Sequence, residues 1–276
     1  MKLKTFFSAL ALTAAIALPA AAKADSSIPR PEYPRPQFER ADWVNLNGEW
    51  TFSIDNVASG YEKGFFKSDG FDGKILVPFS PESKLSGVGH TDFIEGVWYH
   101  RKITVPAEWD GRNIRLNFGA VYYKSEVYID GKLVGRHFGG TSSFSFDITP
   151  FVKAGQTHSL VVYATSDLRS GKQPAGKQSL KLYSMTCNYT RTTGIWQTVW
   201  MEPVSDGGLK QVQVDTDIDQ GQIVVKPLFF QEGKSTLKVT VTDPTAPKKP
   251  VAQKTVVATN NSVVVLSMKK FRTWGP

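Results

Sequence analysis

The residues best equipped for chemistry lie in one long stretch, between Ser166 and Ile195. Asp167 is its only carboxylate among five Lys/Arg side chains, and Arg169, Asn188 and Arg191 share the stretch with it. A carboxylate accepts hydrogen bonds, an amide accepts and donates, and a guanidinium donates in a rigid fork. An acid so placed can accept hydrogen bonds from the hydroxyls of a ligand, so Asp167 is the candidate binding residue of this stretch. The same residues support a structural reading, in which Asp167 pairs with Arg169 or Arg191 and fixes the base of a loop. A connection longer than ~15 residues without secondary structure of its own is either functional or disordered. Leu180, Leu182, Tyr183, Met185 and Tyr189 are expected to anchor this one on a surface.

Other chemistries find less support. His90, His100, His137 and His158 are dispersed, with no spacing that brings two of them onto one metal ion. No Gly-x-Ser-x-Gly elbow, phosphate-binding glycine loop or dense acidic loop for calcium is present. No cofactor and no metal are therefore expected. Cys187 is the single cysteine, so no intrachain disulfide can form. Nothing near it in sequence supplies the histidine partner that a catalytic thiol needs, and it is expected to be a partly buried spectator. Trp43, Trp50, Trp98, Trp196 and Trp200 alternate with polar residues at strand spacing, which favours core packing over a sugar-stacking platform.

The elements that must position these groups are almost all strands. Residues 1–24 read as a secretory signal, with Lys2 and Lys4 ahead of an apolar run from Phe6 to Leu18, then Pro19 and the small residues around Ala22 and Ala24. A secreted or periplasmic location follows from that reading, and no later stretch is apolar for long enough to span a membrane. Losing that segment removes three lysines and no acid, taking the formal charge from +8 to +5. So modest an excess, without a dense Lys/Arg stripe, does not point to nucleic acid. Residues 25–45 form a Pro-rich lead-in that should run extended, because proline lacks the amide donor that ladders and helices need.

Half-buried strand patterns then recur at Leu46–Asp55, Lys74–Phe79, Trp98–Val105, Asn113–Phe118, Phe144–Thr149, His158–Thr165 and Ile195–Val204. The clearest hairpin runs from Ser125 to Gly135 around Asp130-Gly131, a pair that tolerates the positive φ angles of a type I′ turn. No helix longer than two turns is predicted. The fold class expected is all-β, with residues 46–204 forming a jelly-roll, galactose-binding-like β-sandwich. After Ser205-Asp206-Gly207-Gly208 the composition turns poor in Trp and Tyr and rich in Val, Thr and Lys. Strands are expected at Leu209–Ile218, Gln222–Phe230, Leu237–Thr242 and within Lys254–Met268, with a loop over Pro244–Pro250. Residues 208–276 thus read as an immunoglobulin-like β-sandwich, incomplete against the seven or so strands such a domain needs.

In order, the runs Leu46-Asn47-Gly48-Glu49-Trp50, Trp98-Tyr99-His100-Arg101, Val127-Tyr128-Ile129-Asp130-Gly131, Phe146-Asp147-Ile148-Thr149 and Gly194-Ile195-Trp196-Gln197-Thr198-Val199-Trp200 resemble the sugar-binding domain that opens family 2 glycoside hydrolases. The resemblance covers about 160 residues, and Trp274-Gly275-Pro276 is similar to a step late in the family's second domain. It implies that an acid placed as Asp167 is reaches the sugar subsite of a catalytic TIM barrel, with Arg169, Asn188 and Arg191 as looser neighbours.

Retaining glycoside hydrolysis needs two carboxyl groups about 5–5.5 Å apart. In the family these are barrel glutamates, one within an Asn-Glu step. No such step occurs here, and the residues after Gly207 are too few for a barrel of ~250. The expectation is the non-catalytic front of an exported glycosidase, inactive alone, with carbohydrate and a barrel in cis as its partners. The alternatives are a free-standing carbohydrate-binding β-sandwich and a structural sandwich whose long loop docks another protein.

Overall fold

The computed structural model describes residues 28–273; the expected secretory segment and Trp274-Gly275-Pro276 lie outside them. Twelve strands build the front unit. They are β1 (Val44–Asn45), β2 (Gly48–Ile54), β3 (Gly73–Val77), β4 (Gly96–Thr104), β5 (Asn113–Phe118) and β6 (Val121–Tyr122), then β7 (Lys124–Ile129), β8 (Lys132–Phe138), β9 (Phe144–Asp147), β10 (Thr157–Thr165), β11 (Gly194–Ile195) and β12 (Val199–Val204). A six-stranded sheet, ordered β3-β2-β4-β10-β7-β8, faces a four-stranded sheet, ordered β1-β12-β5-β9, and β6 pairs with β11 at one end. Every pairing within these sheets is antiparallel.

Strand alternation decides which residues meet between the sheets. Val97, Tyr99 and Ile103 of β4 and Leu160, Val162 and Ala164 of β10 point into the core, where they join Trp50, Leu116, Phe118, Ile195 and Met201. The alternate residues Trp98, Val161 and Tyr163 form a second apolar layer on the outer face, covered by Phe65, Phe66 and Phe71 of the 55–72 excursion. Asp55 ties that excursion down, accepting bonds from the Trp98 indole and from the Ser59 and Gly60 amides at 2.9 Å each. Burial alone would raise its pKa, but these bonds outweigh burial and hold the carboxyl below its ordinary value. The tryptophan expectation stands for Trp50, Trp98 and Trp200, all at or below 1% exposure. At the β7–β8 turn, Asp130 and Gly131 have φ of 49° and 75°, as a type I′ hairpin requires.

The second unit has five strands, β13 (Leu209–Asp217), β14 (Gln222–Phe229), β15 (Ser235–Asp243), β16 (Ala246–Ala258) and β17 (Val264–Ser267). They form a three-stranded sheet, β13-β14-β17, and a two-stranded one, β15-β16, around a small core of Val225, Phe229, Leu237, Ala258, Val264 and Leu266. The expected loop over Pro244–Pro250 is mostly strand. β16 begins at Ala246, and Pro250 sits opposite Thr242 where the register shifts. Proline is tolerated there because β16 pairs with β15 alone and has a free edge.

Candidate functional site: the loop end of the jelly roll

β10 ends at Thr165, and the chain then leaves the sheet through Ser166, Asp167 and a single 3-10 turn at Leu168–Ser170. Leu168 is buried and anchors the turn. The Gln173 side chain holds the start of the loop together. Its carbonyl accepts the Asp167 amide at 2.9 Å, and its amide donates to the Ser166 and Tyr122 hydroxyls at 3.3 Å. The Tyr122 hydroxyl in turn donates to the Pro174 carbonyl. The Asp167 backbone is thereby fixed while its carboxylate faces solvent.

Among the described residues that carboxylate has neither an ion pair nor a hydrogen bond, so the salt bridge open to it in the sequence is not formed. Arg169 reaches Glu95 at 3.5 Å instead. Arg191 donates to three backbone carbonyls, those of Ser179, Lys181 and Thr91. The guanidinium carbons of Arg169 and Arg191 lie 4.4 and 4.3 Å from the centroid of Phe93, so two cations share one ring.

Asp167, Arg169 and Arg191 line a common crevice with Phe93, Ile94, Glu95, Ser166, Leu168 and Thr193. Its volume is about 10 Å³, room for a single water. The crevice offers an exposed acid and an exposed guanidinium but encloses no sugar by itself. Asn188 is not part of its lining. It closes a two-residue turn with Met185, each amide donating to the other's carbonyl at 2.9–3.0 Å.

The long connection is ordered by polar contacts rather than by the apolar anchors expected. Leu180, Leu182, Tyr183, Met185 and Tyr189 are 42–64% exposed and touch no core. The loop instead folds on itself. The Ser179 amide donates to Tyr189 O and the Tyr189 amide to Lys177 O, both at 2.7 Å, and the Thr192 amide donates to the Gln178 side chain at 2.8 Å. Arg191, 3% exposed, clamps this fold to the 80–95 segment through Thr91. Cys187, expected to be partly buried, is exposed on the same loop.

Below the loop, Gly194 returns the chain to the sheet with φ of 71°, and a side chain there would run into the Tyr99 hydroxyl. That hydroxyl accepts the Ile195 amide at 3.2 Å, and burial pushes its pKa well above the ordinary phenol value. Buried Glu82 accepts the Thr193 amide at 3.1 Å. Gln173 lies within the long stretch that stood out in the sequence, whereas Glu82, Phe93, Glu95 and Tyr122 also belong to the site and sequence reasoning missed them. Of these four only Glu82 carried a local signal, the Pro81-Glu82-Ser83 turn.

Carboxylates also flank a cavity of about 940 Å³ in the second unit, lined by Asp217 and Asp243 with Ile218, Ile223, Val241 and Phe271. Asp243 does not fit the part of a general acid. The Asp243 oxygens take Arg272 at 2.9 and 2.7 Å and the Thr245 hydroxyl at 2.7 Å, which holds its pKa down to about 2. Asp217 accepts the Gln220 amide at 2.9 Å, closing the β13–β14 turn. A general acid needs a raised pKa. Among the described residues no group of three or more His, Cys, Asp or Glu converges as a metal ion would require, and no helix is long and apolar enough to cross a membrane.

The front unit is an antiparallel jelly roll with a polar loop site at one end, followed by a smaller β-sandwich. Residues 89–171 match the family described as glycosyl hydrolases family 2, sugar binding domain. Over those residues the chain is similar to that family's sugar-binding domain.

A beta-galactosidase of Thermoanaerobacter pseudethanolicus is 26% identical over 64% of this chain and 23% of its own length. Beta-galactosidase BoGH2A of Bacteroides ovatus is 29% identical over 68% of this chain and 21% of its own. The beta-glucuronidase of Canis lupus familiaris is 26% identical over 76% and 36%. In fold, the chain is similar to the crystal structure of Ruminococcus gnavus beta-glucuronidase, with a TM-score of 0.67 at 22% identity over 84% of this chain and 39% of that one. The chain thus spans between about a fifth and two fifths of the relatives it matches.

Proposed function

We propose that this chain is the non-catalytic N-terminal portion of an exported family 2 glycoside hydrolase. In this reading the jelly roll braces a catalytic barrel in the same polypeptide and presents its loop end to the sugar subsite. Asp167 supplies a hydrogen-bond acceptor to a sugar hydroxyl. Arg169 and Asn188 border the same ligand, and buried Arg191 holds the loop that carries Asn188. The hydrolysis of O-glycosyl bonds belongs to the barrel.

The observation that carries the reading is the Asp167 carboxylate. It is exposed, unpaired among the described residues, and fixed through its backbone at the rim of a domain of the sugar-binding family. A carboxylate held in place by its main chain, with its oxygens left open, is suited to a ligand that arrives with donors of its own.

The test is a panel of aryl β-galactosides and β-glucuronides. Purified residues 25–276 should give no turnover, and the encoding DNA read past Pro276 should continue into a barrel containing an Asn-Glu step. Turnover by this chain that disappears on changing one of its own carboxylates would overturn the proposal. Tight saccharide binding without any continuing polypeptide would favour a free-standing carbohydrate-binding module.

A further inference from the structure

The outer face of the four-stranded sheet has the wrong composition for a surface that is only packed against. Its register sets Trp200 opposite Asn117, and Glu202 opposite Arg115. Trp200, Asn117 and Glu202 are each no more than 1% exposed. What buries them is the Pro-rich lead-in. Residues 28–40 cross this face, pinned at their start by Asn47 and Asn45, whose side chains donate to Pro29 O at 3.0 Å and Arg30 O at 2.9 Å. The Tyr33 ring meets Trp43 and Trp200 edge-on at 5.4 and 6.3 Å, and its hydroxyl donates to Glu202 at 2.7 Å. Arg35 lies over the Trp200 ring at 5.5 Å. Arg40 stands 3.5 Å from Glu202 and donates to Leu209 O at 2.7 Å.

The cover fits poorly in one respect. The indole nitrogen of Trp200 and the side-chain oxygen of Asn117 are buried on this face without a hydrogen-bond partner, as is the Nε atom of Arg115 opposite Glu202. Buried polar atoms are nearly always paired, and several orphans on one face call for a ligand or water. Those present are two donors and one acceptor, set around a carboxylate and an indole. Sugars are read by that combination, with an aromatic surface for C–H faces and charged and amide groups for hydroxyls. The phenol of Tyr33 already places one hydroxyl on Glu202, where a sugar hydroxyl would sit.

We propose that the Trp200–Asn117–Glu202 face is a saccharide-binding site separate from the loop end, and that residues 28–40 are a strap that closes it and is displaced by an oligosaccharide. The unpaired atoms weaken the hold of the strap, while a hydroxylated ligand would satisfy them.

The test uses the full chain, with cellotetraose and galactotetraose as probes in titration calorimetry. Tyr33→Ala should raise affinity for one of them about tenfold by loosening the strap. In that background Glu202→Gln should cost about tenfold, the factor carried by a hydrogen bond to a charged group. Leu182→Ala, an exposed change on the long loop, should leave this binding unchanged, which separates it from the loop end. In the unaltered chain, saturating saccharide should speed hydrogen exchange of the Phe38 amide, which donates to Arg35 O within the strap. If Glu202→Gln prevents folding, Asn117→Ser replaces it with the same expected loss. No binding by the Tyr33→Ala chain, binding indifferent to Glu202 and Asn117, or unchanged Phe38 exchange at saturation would each overturn the proposal.

Discussion

Replacing Arg191 by methionine should free the long loop without unfolding the jelly roll. The guanidinium is 3% exposed and has no carboxylate partner among the described residues, so its charge is balanced by the carbonyls of Ser179, Lys181 and Thr91. Hydrogen bonds to a charged group contribute roughly 1.5–3 kcal/mol each, and a buried carbonyl left without a partner costs ~1–3 kcal/mol. The variant also avoids burying a charge, which offsets part of that loss. About 3–4 kcal/mol of loop anchoring should therefore disappear, equivalent to a ~10²–10³-fold rise in the population of the open loop. The core between the sheets draws on none of these bonds, so the global transition should move far less. Native-state hydrogen exchange read by mass spectrometry over residues 177–192 is the assay, alongside chemical denaturation of the whole chain. Lysine at this position should behave like methionine, because one ammonium cannot span three carbonyls that diverge from a planar fork. Loop protection unchanged in Arg191→Met, or a loss shared equally by the β4 and β10 amides, would refute this account of how the loop is held.

Three further outcomes are expected. Gly194→Ala should lower the melting temperature by several degrees, because it places a side chain against the Tyr99 hydroxyl at a φ that only glycine adopts freely. The folded pKa of Asp243 is depressed from 3.8 to about 2 by Thr245 and Arg272, so its stabilisation is present above pH 4 and lost as pH falls through 2. Asp243→Asn should flatten the melting curve of the second unit across that window, and an unchanged acid limb would count against the pairing. Cys187 is exposed, and a maleimide should label the folded chain at one thiol per molecule before any denaturant is added.

Much of this fold was legible because strand alternation is a local signal. β4 and β10 read directly as inward and outward residues, and Asp130-Gly131 marked its hairpin. The two-residue strands β1, β6 and β11 were not legible, since strands so short are defined by distant partners: Val44 lies beside Met201 and Gly194 beside Tyr122. The start of β16 was hidden by prolines that only a free edge accommodates.

The site divides the same way. Its loop stood out by length and composition, and Asp167, Arg169 and Arg191 do share a crevice. Asn188 stands apart from it on a turn with Met185. The 80–95 segment, which supplies Glu82, Phe93 and Glu95, could not be placed, because its approach is a long-range event with no sequence spacing to reveal it. The apolar loop residues misled for a related reason. A leucine in sequence does not say whether the surface it needs is present, and here polar contacts hold the backbone.

The pairing of β1 with β12 sets the timing of assembly. Val44 finds Met201 only after nearly the whole front unit has been synthesised, and β2 likewise waits for β4 while β4 waits for β10. Closure of so long a chain segment precedes most of the stabilising contacts, which makes folding slow relative to helical proteins of equal size. A ribosome-bound fragment ending before Val204 lacks the strand that joins the first edge to β5, so this module should remain protease-sensitive until its last strand is released.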